Sequence, residues 1–122
     1  MWIFHPLGFA SIVKPDHGRK LLARSRFEGD LEALFPGCEV TVTPQRDYLF
    51  RAFVTRRQVK KRLRELVGQI GYSNFKDSCP KDRCYPYNEV WWALFDEQRH
   101  RYGPHATIHP STVWPDHFKG VA

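Results

Sequence analysis

A chain of 122 residues that is 42% hydrophobic and 15% aromatic has the size and apolar content of one packed globular domain. No apolar run approaches the roughly 20 residues that a bilayer span needs, and the first residues lack the basic start and apolar centre of a secretory signal, so a cytoplasmic location is expected. The formal charge of +6 attracts phosphate backbones, acidic protein surfaces and anionic membranes alike, without choosing among them.

Met1 to Phe4 is apolar and Pro6 to Gly8 is a turn signal, so Trp2 and Phe4 are expected to close one end of the core. Phe9 to Val13 reads as a strand that stops before Pro15. Pro15-Asp16-His17-Gly18 has turn residues in order, and Lys20 to Phe27 reads as the returning strand. Its alternation sets Leu21, Ala23, Ser25 and Phe27 against Leu22, Arg24 and Arg26. Gly29-Asp30 precedes a short helix in which Leu31, Leu34 and Phe35 share a face, and Pro36-Gly37 stops it. Glu39 to Thr43 resumes a strand, which Pro44 to Asp47 turns.

The stretch from Asp47 to Ile70 organises the chain. In Tyr48 to Thr55 the alternation places Tyr48, Phe50, Ala52 and Val54 on a core face and Leu49, Arg51, Phe53 and Thr55 on the other. Val59, Leu63, Leu66, Val67 and Ile70 then recur at the spacing of one helical stripe, while Arg56, Arg57, Lys60, Lys61, Arg62 and Arg64 fill the rest. The order so far is a ββα unit used twice, whose natural product is a four-stranded, mainly antiparallel sheet with helices on one face. Gly71 to Asp77 is turn-rich, and residues 78–86 read as a polar loop holding two prolines. A last helix is expected from Tyr87 to His100, with Val90, Trp91, Leu94 and Phe95 as its apolar stripe and Trp92 beside it. Residues 1–102 are thus read as a single α+β domain, ββαββα with a C-terminal helix, and residues 103–122 as a tail.

The segments Met1-Trp2-Ile3, Phe9-Ala10-Ser11-Ile12-Val13, Ala23-Arg24, Gly29-Asp30-Leu31-Glu32, Phe35-Pro36-Gly37, Asp47-Tyr48-Leu49-Phe50-Arg51-Ala52, Tyr72-Ser73-Asn74-Phe75-Lys76-Asp77-Ser78 and Val90-Trp91 resemble an uncharacterised family of small bacterial proteins, found in chromosomes and on mobile elements. The likeness runs over roughly the first hundred residues, in the manner of a whole domain and not of a short motif. It implies one domain that ends near the last helix. It brings no catalytic residue, because the family has no established activity. Cys79, Cys84 and the tail depart from its pattern.

An odd number of cysteines, three, fits a reducing compartment better than a disulfide framework. Cys79 and Cys84, with His105 and His109, are ligand types that zinc accepts. Their spacing argues against a site, since a whole predicted helix separates the pairs and Pro104 and Pro110 spoil a helix for the histidines. No metal and no cofactor is expected, and the two cysteines are read as free thiols or as a local disulfide under oxidising conditions.

Three surfaces have binding chemistry. Arg56, Arg57, Lys60, Lys61, Arg62 and Arg64 are more cations than a solvated helix face needs, with only Glu65 nearby to balance them. If the helices cover the Phe50 and Ala52 face of the sheet, the other face shows Arg24, Arg26, Arg51, Phe53, Thr41 and Thr43, a basic and aromatic platform of the kind that stacks single-stranded bases. The competing layout has the last helix covering that face. Lys76 in the Tyr72 to Asp77 turn and Trp92 on the last helix are the remaining binding candidates, and a domain with four tryptophans is a candidate homodimer.

The expected function is a non-catalytic binding module that engages a protein partner or a nucleic-acid-handling complex, as a regulator or inhibitor of, for example, a defence system. One alternative is direct nucleic-acid binding through the basic helix. The other is a small enzyme near the Tyr72 to Asp77 turn, with Lys76, Asp77 and Glu89 around a pocket.

Overall fold

The computed structural model describes residues 1–103. These residues divide into two compact units, Met1–Gly71 and a second that begins at Tyr72.

In the first unit, strands β1 (Trp2–His5), β2 (Gly8–Val13) and β3 (Leu21–Ser25) are followed by helix α1 (Asp30–Leu34), strands β4 (Thr41–Val42) and β5 (Phe50–Val54), and helix α2 (Arg56–Gly68). They form an open antiparallel sheet of five strands in the order β1-β2-β3-β5-β4. The fold class is α+β, as expected, with one strand more than the four read from the sequence. The extra strand is β1, which turns back through Pro6 and Leu7 and pairs Trp2 with Ser11 and Phe4 with Phe9. Trp2 therefore lies at a sheet edge, 65% exposed, and does not close the core.

One face of this sheet carries the core. Ala10 and Ile12 on β2, Leu21 and Ala23 on β3, and Ala52 and Val54 on β5 pack against Leu31, Leu34 and Phe35 from the α1 segment and Val59 and Leu66 from α2. Ala23 and Ala52 are register partners, and with Ala10 they form a patch of minimal side chains that lets a short helix approach the strands closely. Five residues make a helix too short to persist alone, so α1 depends on this burial, each of Leu31 and Leu34 contributing about 1.5–3 kcal/mol. Asp30 is buried too, and its Oδ2 accepts the Phe9 N–H at 2.8 Å, which ties the start of α1 to the start of β2.

α2 starts on a capping box that the sequence reading passed over. Gln58 N donates to Thr55 Oγ1 at 3.1 Å, and Thr55 N donates to Gln58 Oε1 at 2.7 Å. Its buried stripe is narrower than the spacing suggested. Val59 and Leu66 are buried and Leu63 half-buried, but Val67 is exposed, and Ile70 lies beyond the helix end and is exposed as well.

In the second unit, α3 (Phe75–Ser78) is capped by Asn74, whose Oδ1 accepts the Lys76 N–H at 3.0 Å. α4 runs from Lys81 to Tyr102, so residues 78–86 are not the loop expected from their prolines. Pro80 stands at the N-cap, where its carbonyl accepts from Arg83 N and Cys84 N, and Pro86 removes one donor from the next turn without ending the helix. Gly103, at φ 81°, stops α4 with its N–H on the Arg99 carbonyl. Of the expected apolar stripe, Trp91 and Leu94 are exposed and Val90 and Phe95 half-buried; the buried residue of α4 is Tyr87, stacked on Phe75 at 5.9 Å. The tail beyond residue 103, with His105 and His109, lies outside the described residues.

Candidate nucleic-acid interface

α2 lifts its cations away from the core in a definite pattern. Arg57, Lys60, Lys61 and Arg64 fall at i, i+3, i+4 and i+7, which puts them on one stripe; all are exposed, and together they line a shallow groove of about 520 Å³. Among the described residues, no carboxylate lies within ion-pair distance of any of them. The nearest acid in sequence, Glu65, is instead paired with Arg62 at 3.1 Å.

This arrangement works against the helix that carries it. Like charges three or four residues apart cost roughly 0.2–0.5 kcal/mol per pair. The first turn, where the helix dipole favours anions, holds Arg56 and Arg57 and no acid. Helix stability therefore gives no reason for these cations, and an external anion would relieve them. Arg56 is exposed beside the stripe, outside the groove lining.

Arg62 does not belong to this surface. Its Nε donates to the Leu34 carbonyl at 2.5 Å and its Nη2 to the Ala33 carbonyl at 3.1 Å, so it closes the C-terminal end of α1. Burial, and then the charge of this same guanidinium, lowers the pKa of His5, whose Nδ1 accepts the Leu7 N–H.

The opposite face of the sheet, which α1 and α2 leave uncovered, gathers the second set. Arg24 and Arg51 are register partners on β3 and β5, Leu22 pairs with Phe53, and Thr41 pairs with Arg51. The Arg24 and Arg26 guanidinium carbons stand 4.5 and 4.2 Å from the centre of the Tyr48 ring. Tyr48 is buried as expected, but on this face and not in the core. Regular alternation begins only at Phe50, and the bend before it lays the ring parallel to Phe9, with centroids 6.4 Å apart. Asp47 holds two of the arginines, Arg51 through its carboxylate at 3.1 Å and Arg26 through its carbonyl at 2.7 Å. A hollow of about 350 Å³ crosses β3, β5 and β4 here, lined by Leu22, Phe53, Thr41, Thr43, Arg46 and Arg51 among others. Arg46 and Asp47 were not read as site residues from the sequence, where they belong to the turn before the strand, and Tyr48 was read as core.

In the second unit the Lys76 ammonium sits 4.3 Å above the Trp91 ring, and Trp91, Trp92 and Phe95 form one aromatic cluster. Trp92 is half exposed. Asp77 and Glu89 are exposed side chains. Cys79 and Cys84 are free thiols; burial raises the Cys79 pKa, and its Sγ donates to the Phe75 carbonyl at 3.2 Å. Among the described residues no group of three or more His, Cys, Asp or Glu could hold a metal ion, and no helix is long and apolar enough to cross a membrane.

Comparison with models of protein families, with curated proteins and with solved structures finds no match.

Proposed function

We propose that this protein is a non-catalytic binding module that lays the exposed stripe of α2 along the phosphate backbone of a nucleic acid. The observation that carries this reading is the groove of Arg57, Lys60, Lys61 and Arg64, four cations on one helical stripe with no carboxylate in ion-pair reach among the described residues. A phosphate backbone offers repeated negative charge at a spacing that such a stripe can follow, and release of its counterions drives binding. Interference with, or regulation of, a nucleic-acid-handling complex is the role such a module fits.

The test is fluorescence anisotropy with a labelled duplex at low salt, for the parent and for Lys60→Glu with Lys61→Glu, alongside polyglutamate as a competitor. Binding that the charge reversal abolishes supports the reading. Displacement by polyglutamate at matched charge would transfer the surface to an acidic protein partner.

A protein partner is the second reading, favoured by the half-exposed Trp92 within the Trp91, Trp92 and Phe95 cluster. Light scattering with and without Trp92→Ala tests whether that partner is a second copy of this chain.

A further inference from the structure

On the sheet face that α1 and α2 leave uncovered, we propose a second site that holds one unpaired nucleotide of a single-stranded nucleic acid, its base on Phe53 and its phosphate at Arg51 and Arg46. The inference rests on the reading of the protein as a nucleic-acid binder and specifies the form that it takes.

Phe53 lies within β5, a strand with neighbours on both sides, yet it is 60% exposed. A ring so placed buries little of its own surface and offers a flat face beside its register partner Leu22, which is half-buried. The hollow over these two side chains, about 350 Å³, has the dimensions of a small-ligand site. Thr41 and Thr43 border it on the β4 side, and its charged lining is Arg46 and Arg51 against the single carboxylate of Glu39.

Arg51 is set up to exchange partners. It faces Arg24 directly across the strand pair, an unfavourable opposition of like charges. Among the described residues its Nε has no hydrogen-bond partner and its one ion pair is to Asp47, whose side chain is 67% exposed. The pair is open to solvent on its Asp47 side, while the Arg51 side chain is only 16% exposed, so a phosphate oxygen arriving from the Asp47 side can take the place of the carboxylate and bring the charge that the arginine pair lacks.

The ring decides which anion fits. An acidic or phosphorylated peptide would use the arginines and leave Phe53 idle. In a duplex each base face is already stacked on its neighbours, whereas an unpaired base presents a free face to an aromatic platform.

The experiment compares three labelled probes on the full chain: a single strand of about twelve nucleotides, a blunt duplex of the same sequence, and a strand of equal length built from abasic units. Phe53→Ala should weaken single-strand binding about tenfold and leave the duplex unchanged, Phe53→Tyr should restore it, and the parent should bind the abasic strand as weakly as Phe53→Ala binds the normal one. Asp47→Asn, which frees Arg51, should tighten single-strand binding. Equal binding of the normal strand by parent and Phe53→Ala overturns the proposal. If Lys60→Glu with Lys61→Glu still abolishes duplex binding in that case, the α2 reading stands without it. A Phe53 effect with no charge-reversal effect leaves this site standing and removes the α2 reading.

Discussion

Arg24 and Arg51 stand opposite one another on β3 and β5, and the Nε of each is buried without a hydrogen-bond partner among the described residues. Facing cations destabilise a strand pair by roughly 0.2–1 kcal/mol, and the surroundings answer unequally. Arg24 donates to Ser11 Oγ at 2.9 Å and lies over Tyr48, while Arg51 pairs with the exposed carboxylate of Asp47. Arg51→Thr keeps strand propensity and removes the opposition. It should raise the urea unfolding free energy by up to about 1 kcal/mol. A loss of about 1 kcal/mol or more would instead make Arg51 a structural residue.

Gly8 and Asp30 should show coupling of the opposite sign to their single effects. A Cβ built on Gly8 would meet Asp30 Cγ at 2.6 Å and its Cβ at 2.8 Å. Gly8→Ala should cost about 1–3 kcal/mol by overpacking. Asp30→Gly takes the acceptor from the Phe9 N–H, at a cost of at least about 1 kcal/mol. The double variant should lose less than the sum, by about 0.5 kcal/mol or more, because Asp30→Gly clears the atoms that the new Cβ would strike. Strict additivity in a denaturant double-mutant cycle would refute this packing.

Arg62 and its helix neighbours should separate cleanly by assay. Arg62→Met removes charge-assisted bonds to the Ala33 and Leu34 carbonyls and should destabilise the fold by about 1.5–3 kcal/mol. Oligonucleotide affinity, measured where the variant is folded, should change little. The reverse pattern is expected of Lys60→Ala, since Lys60 is exposed and makes no ion pair among the described residues.

The contrast within α2 marks where the sequence stops being legible. Periodicity located the helix and its cation-rich side, because helical spacing is a property of the chain alone. It could not tell Arg62 from Arg64, since what sets Arg62 apart is the C-terminal end of α1, nearly thirty residues earlier in the chain. Likewise the alternation in β5 placed Arg51 and Phe53 correctly on the face away from the core, yet carried Tyr48 to the wrong side, because pairing with β3 extends only from Phe50 to Val54. The prolines in residues 78–86 misled for a related reason. Proline breaks a helix by its position within it, and Pro80 falls at the N-cap of α4, where its missing N–H costs nothing.

His5 makes the unfolding free energy sensitive to mild acid. Burial, and then the Arg62 charge, hold its pKa below the usual histidine value of 6.5. A histidine with a depressed folded pKa contributes stability that is present above the unfolded pKa and lost as pH falls through the folded one. Stability should therefore decline below about pH 6.5, and less so in His5→Asn, whose Oδ1 can still accept from Leu7 N. Equal decline in both proteins, followed by urea titration at pH 7 and pH 5.5, would remove His5 as the cause.

The most direct test of the central claim is the salt dependence of duplex affinity. If the α2 stripe follows a phosphate backbone, log affinity should fall linearly with log salt at a slope of about −3 to −4, roughly −0.9 for each neutralised phosphate. Lys60→Glu with Lys61→Glu should bring that slope at least about two units closer to zero. No binding at low salt, or the same slope in parent and variant, would contradict the account.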